Sequence, residues 1–340
     1  MGSCASRSSG SASDKKEAVL EYGDSDLRIY SDGRVDRKPW DSCDIVPACP
    51  SPSDPDDVAS KDLLLNAHHS TNLRLFLPPS HSSKLPILLY FHGGNFTHYI
   101  TALSAFHGYL SRLAIHCSAL IVSVDYRLAP EHPLPAAYED CYEALLWLEK
   151  QAAMAASGDA SVEPWLATSA DFSRCFLIGD SAGGTIVHNV AMQALGHGAW
   201  DSQQEKRILK NVAMQGLLLC HPWFTCSSSE MNPQAPGDAM ILKYTKTHVD
   251  SPLVNPFSAS APPLEGVALP RAIVFVAGRD RLKDRGTAYY EGLMRAGKET
   301  KLSCTDEGIH IFHILQPWSP NVAPFLKQVN DFIRTTSVNV

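Results

Sequence analysis

The chain has 340 residues, 44% hydrophobic and 19% charged, which is ample core material and excludes global disorder. Its formal net charge of −7 argues against the basic surface that a nucleic-acid partner would require. No apolar run approaches the ~18 residues of a membrane span, since the longest, 85–91, 119–124 and 273–277, are strand-sized.

Residues 1–25 read as a disordered leader rich in Ser, Gly and Ala. It opens Met1-Gly2-Ser3-Cys4-Ala5-Ser6, which fits the N-myristoylation pattern at Gly2 and offers Cys4 to a second, palmitoyl chain. Two lipids suffice for stable anchoring where one does not; the competing reading is an unmodified leader. Membrane association is expected only through such acylation. No signal peptide is legible, and the nine cysteines, at 4, 43, 49, 117, 141, 175, 220, 226 and 304, contain no C-x-x-C. A disulfide framework or zinc site is therefore not expected, and the compartment reads as reducing and cytoplasmic.

Two hairpins follow. Residues 26–30 turn through Ser31-Asp32-Gly33 into 34–37, and 61–65 turn through 68–72 into 73–77, with a Pro/Ser/Asp loop at 47–57 between them. The rhythm then changes to strands alternating with helices. Strands are expected at 86–91, 119–125, 175–179, 212–220, 272–277 and 301–304, and helices at 102–115, 136–153, 182–195, 284–296 and 323–335. Short apolar runs, each followed by an amphipathic segment, predict an α/β fold with a mainly parallel sheet covered on both faces. The stretch 222–270 breaks that rhythm. It is read as a cap insertion (about 222–268) which, with an N-terminal lid (about 15–57), covers one end of the sheet of a single domain over 26–340.

Gly179-Asp180-Ser181-Ala182-Gly183-Gly184 follows one expected strand and opens a helix. This is G-x-S-x-G in its strand–turn–helix context. The sharp turn lifts a serine hydroxyl above the sheet at a helix N-terminus, where the Ala182 N–H can stabilise a developing oxyanion. Phe91-His92-Gly93-Gly94-Asn95-Phe96 follows the strand 86–91 and resembles the HGGG-type oxyanion loop of lipases and esterases. Gly93 and Gly94 are its expected donors, Asn95 replaces a glycine with an intruding side chain, and His92 reads as a loop organiser.

A serine needs a base and the base an orienting carboxylate, both downstream of Ser181 in this chain order. Asp280 ends the strand 272–277, while its rival Asp284 reads as helix first turn. His310 is the first histidine after the last strand, and His313 reads as a packing or capping residue. No histidine pair has H-E-x-x-H spacing, so metal catalysis is not expected, and a serine mechanism of this kind needs no cofactor.

These motifs resemble the plant carboxylesterase branch of the hormone-sensitive-lipase-like α/β-hydrolases, which also contains the gibberellin receptors. The matching residues are Tyr90 to Gly94, Asp125 to Pro133, Gly179 to Gly184, Gly278 with Asp280, Asp284-Arg285, and His310 with Phe312-His313. The resemblance implies an α/β-hydrolase fold and hydrolysis of small, largely apolar esters. It further implies a Ser181–Asp280–His310 triad, a Gly93/Gly94/Ala182 oxyanion hole, and a substrate pocket lined by Asn95, Phe96, Trp223 and Phe224. Its gibberellin receptors lack the base histidine that this chain keeps at His310. Alternatives on the same scaffold are a small-molecule receptor and a lyase or acyl-transfer enzyme of specialised metabolism.

Overall fold

The computed structural model describes residues 20–23, 26–38, 43–54, 56–79, 81, 83–201, 209–226 and 236–335. The acylation positions Gly2 and Cys4 lie outside the described residues. The chain divides into two compact units, Met1–Pro39 and Trp40–Val340.

The small unit is a three-stranded antiparallel sheet of β1 (Leu20–Gly23), β2 (Leu27–Tyr30) and β3 (Val35–Arg37). The expected hairpin is β2–β3, pairing Leu27 with Arg37 and Ile29 with Val35. The first strand falls in the expected leader.

In the large unit, residues 43–49 are tied down by hydrogen bonds. Val46 N–H donates to Ala102 O and Ser60 N–H to Cys49 O, each at 2.8 Å, and Cys49 N–H donates to the Ser60 hydroxyl at 3.0 Å. The lid expected over 15–57 thus crosses the division between the two units. Eight strands follow: β4 (Ala59–Asn66), β5 (Thr71–Leu77), β6 (Leu85–Phe91), β7 (Leu120–Asp125), β8 (Ala170–Asp180), β9 (Met214–Cys220), β10 (Ala272–Ala277) and β11 (Thr300–Thr305). Their order is β11-β10-β9-β8-β6-β7-β5-β4, parallel from β11 to β7, with β5 and β4 added antiparallel at one edge.

The helices are α1 (Ser104–Cys117), α2 (Ala136–Ser157), α3 (Pro164–Ser169), α4 (Ala182–Ala194), α5 (Pro236–Thr245), α6 (Lys283–Arg295), α7 (Phe312–Leu315) and α8 (Val322–Arg334). All five expected helices are present, with every end within four residues of its expected place. Three short ones, α3, α5 and α7, have no counterpart in the sequence reading. The stretch read as irregular over 222–270 therefore carries a helix, α5, which buries Ile241 and Tyr244 and begins at a proline, whose missing N–H costs nothing there.

Every residue of β6 is buried, because helices cover both faces of the sheet. Alternate side chains divide between two cores. Ile87, Leu89 and Phe91 pack with residues of α2, α4 and α6, and Leu88 and Tyr90 with residues of α1 and α8. Helix α8 shows the pattern plainly: Val322, Phe325, Leu326, Val329, Phe332 and Ile333 are buried at the 3–4-residue spacing of one helical face.

The chain leaves β6 toward β7 on one side and returns to β8 on the other. In open α/β sheets such a switch point opens a crevice at the carboxyl ends of the strands. Phe91, the end of β6, pairs with Gly179, near the end of β8. The loops carrying Gly93 and Ser181 therefore leave adjacent strands at the same end.

Candidate active site

Ser181 stands between β8 and α4 with φ 55° and ψ −117°, a backbone conformation costly for a residue with a side chain. Neighbouring bonds hold it there. Its N–H donates to Cys220 O at 2.9 Å, and its carbonyl accepts from Gly184 N–H and Trp223 N–H, each at 3.0 Å. Gly183 is required by packing, since a β-carbon there would overlap the Phe91 carbonyl. Ala182 is the first residue of α4, so its N–H has no partner within the helix.

The loop after β6 comes against this turn. A β-carbon on Gly93 would lie 2.9 Å from Asp180 O and 3.2 Å from the Ser181 β-carbon, so the bare Gly93 backbone is what lets the two segments touch. Gly94, Asn95 and Phe96 all have positive φ, at 110°, 57° and 63°. Asparagine tolerates that region better than most residues, which accounts for Asn95 in place of glycine. Its side chain is exposed, while Phe96 is buried, edge-on to Trp223 and Tyr138. His92 organises the loop: its ring stacks on Tyr126 at 4.3 Å, its carbonyl accepts from the Tyr126 hydroxyl at 2.7 Å, and its Nδ1 lies 2.7 Å from Gly93 O. Burial keeps its pKa below the ordinary histidine value, against the opposing pull of Asp125.

Asp280 and His310 are brought together. His310 Nδ1 lies 2.7 Å from Asp280 Oδ2, and Asp280 Oδ1 accepts from Leu282 N–H at 2.9 Å. The Asp280 side chain is 1% exposed and that of His310 33%, so a buried carboxylate holds one edge of a ring that solvent can reach. With Nδ1–H donating to the carboxylate, Nε2 keeps a free lone pair. The rival Asp284 lies in the first turn of α6. The rival His313 is wholly buried, pairs with Asp180 at 2.6 Å and stacks on Phe325 at 4.3 Å.

Trp223 and Phe224, expected at the pocket, are 1% and 3% exposed. The Trp223 indole N–H donates to Asp238 of α5 at 3.0 Å, and Phe224 stacks on Tyr289 at 4.4 Å. Asp238 also pairs with Arg285 of α6.

One histidine carried no motif signal. His221, directly after β9, has φ 50°, is 2% exposed and accepts the Ile311 N–H on Nδ1 at 2.7 Å. Burial, with the His313 and His310 charges adding to it, holds its pKa well below the ordinary value. His221, His310 and Asp280 form one of two groups among the described residues whose donors converge as metal ligands do. The Nδ1 lone pair of His221 is committed to Ile311, and His310 Nδ1 to Asp280. In the other group, His69, Asp140 and Glu143, the Asp140 carboxylate is held by Arg127. Neither donor set suits a cation.

An alpha/beta hydrolase fold model matches residues 88–314. The chain belongs to that family. It is 38% identical over 301 residues to tuliposide A-converting enzyme 1, chloroplastic, of Tulipa gesneriana, covering 85% of this chain and 71% of the relative. It is 34% identical over 322 residues to 2-hydroxyisoflavanone dehydratase of Glycyrrhiza echinata, covering 90% of this chain and 94% of the relative. A solved Pyrobaculum calidifontis esterase superposes with a TM-score of 0.63 at 26% identity, over 81% of this chain and 84% of that one. No helix among the described residues is long and apolar enough to cross a membrane.

Proposed function

We propose that the protein is a carboxylesterase that hydrolyses small, largely apolar esters through an acyl-enzyme on Ser181. The observation that carries this reading is the Asp280–His310 pair at 2.7 Å, buried at its carboxylate and open at its imidazole. His310 Nε2 takes the Ser181 hydroxyl proton as Oγ attacks the acyl carbon. Asp280 fixes the tautomer and stabilises the imidazolium. The N–H groups of Gly93, Gly94 and Ala182 receive the oxyanion, and removing one such donor typically costs ~10²–10³ in rate. His310 then protonates the leaving alcohol, and water, deprotonated by His310, releases the acid. The substrate pocket in this reading is walled by Asn95, Phe96, Trp223 and Phe224.

A second reading is elimination from a specialised metabolite, in which His310 removes a carbon-bound proton. The C–H electron pair forms a C=C bond, and the neighbouring C–O bond breaks to release water or a carboxylic acid that carries the proton away. It is favoured by the dehydratase relative, matched over 94% of its length. The proposed compartment is the cytoplasm, although the tulip relatives are named chloroplastic or amyloplastic; imaging a fluorescent fusion decides between them.

The test is initial rates on p-nitrophenyl acetate, butyrate and octanoate for wild type beside Ser181→Ala. Turnover by wild type alone supports the esterase, and the chain-length profile sizes the acyl pocket. Folded wild type that turns over none of them overturns the reading, leaving elimination or ligand sensing.

A further inference from the structure

The segment from Cys220 to Trp223 touches both halves of the proposed machinery. On one side it brackets the serine turn, since Ser181 N–H donates to Cys220 O at 2.9 Å and Trp223 N–H to Ser181 O at 3.0 Å. On the other, the His221 imidazole receives the amide of Ile311, the residue after His310, at 2.7 Å. His221 is itself anchored to β10 through its N–H to Phe275 O at 2.8 Å. Both ends of the imidazole bond are in the left-handed region, His221 at φ 50° and the β-branched Ile311 at φ 43°. Such conformations persist only where surrounding contacts over-determine them. The bond between the two residues is the contact that joins them.

We propose that His221 is a positioning residue that sets the His310 turn against the Ser181 turn by accepting the Ile311 amide hydrogen bond. The role requires a neutral imidazole with its proton on Nε2, because a protonated Nδ1 would face the Ile311 N–H donor to donor. The groups around the ring are the Asp280 carboxylate at 4.0 Å, the His310, His313 and Phe312 rings at 5.9, 5.4 and 5.6 Å, and the strand end that carries His221 itself. Burial and the two neighbouring histidines favour the neutral form, so the hydrogen bond survives into mild acid. His221 contacts no reacting atom in this scheme. It acts through the backbone that carries His310.

The kinetic arm of the test rests on the esterase reading; the spectroscopic arm does not. His221→Leu keeps bulk and removes the acceptor, whereas His221→Asn can place an amide oxygen near the Nδ1 position. With p-nitrophenyl butyrate, kcat of His221→Leu is expected to fall ~10–100-fold with KM within about threefold of wild type, and His221→Asn to recover most of the loss. The His310 Nδ1 proton, assigned by its disappearance in His310→Gln, is read by NMR in the same proteins. It is expected to be sharp in wild type and His221→Asn, and shifted or exchange-broadened in His221→Leu. A folded His221→Leu with wild-type kcat and an unchanged His310 resonance overturns the proposal, as does a His221→Asn no better than His221→Leu in both readouts. If wild type hydrolyses no ester, the esterase reading falls and the resonance alone decides the role of His221.

Discussion

Asp180 and His313, 133 positions apart in the chain, meet at 2.6 Å with both side chains wholly buried. Asp180 immediately precedes Ser181, and its other oxygen accepts the Tyr90 hydroxyl from the adjacent strand. The turn that presents Ser181 thus rests on a buried polar network reaching from β6 to α7.

Removing one partner of that network leaves a carboxylate buried with one hydrogen bond fewer. His313→Leu is therefore expected to destabilise the fold by about 3–5 kcal/mol. Asp180→Asn keeps an acceptor for His313 and removes the charge, so its cost is expected near 1 kcal/mol. Denaturant unfolding of both variants checks this, and equal losses would show that the charge is not what matters.

On the loop after β6, which the esterase reading makes the oxyanion loop, the expected effects separate by position. Gly93→Ala must push its β-carbon off Asp180 O, only 2.9 Å away, and so move the loop from Ser181. A rate loss of ~10²–10³ together with a lowered Tm is expected. Asn95→Gly accepts the same φ of 57° and loses only an exposed side chain. Esterase rates for the pair test this, and Gly93→Ala at wild-type rate would remove Gly93 from the hole.

Acid is expected to destabilise the protein through its buried histidines. His188, against Tyr289, is lowered by burial to about 4, and burial lowers His92 and His221 as well. The unfolded state therefore binds more protons than the folded state below about pH 6.5, so stability falls as pH drops toward 4, by ~3 kcal/mol for His188 alone. Tm measured from pH 7 to 4 should decline, and His188→Gln should flatten the decline. A parallel curve for that variant would refute the assignment.

Helix α5 is held by Asp238, which accepts the Trp223 indole N–H and pairs with Arg285. Burial works to raise the Asp238 carboxyl, but these two donors outweigh it and hold its pKa below the usual value. Asp238→Ala is expected to cost about 2–3 kcal/mol and to change the ratio of octanoate to butyrate rates. A lowered Tm with an unchanged ratio would confine α5 to stability.

Much of this arrangement is written in short stretches of chain. The serine turn is legible because its backbone admits only small residues at fixed offsets, and the core strands because burial on both faces demands unbroken apolar runs. Asp280 and His310 follow from their places after β10 and β11. The helix α5 escapes such reading because it buries only a few side chains in a proline-rich stretch, and α7 because it is four residues long. β8 runs longer than its apolar core because Ala170 and Asp171 pair with Leu85 and Pro86 beyond it.

The sequence by itself determines the α/β alternation and the strained serine turn, which depend on local sterics, and chain order alone nominates Asp280 and His310 as partners. Tertiary structure alone decides that His313 braces Asp180, that His221 holds the turn of His310, and that Trp223 is tied to α5. Those contacts join residues 133, 90 and 15 positions apart. No local propensity encodes them, because a buried polar group acquires its partner only when the packed sheet and helices bring the two together.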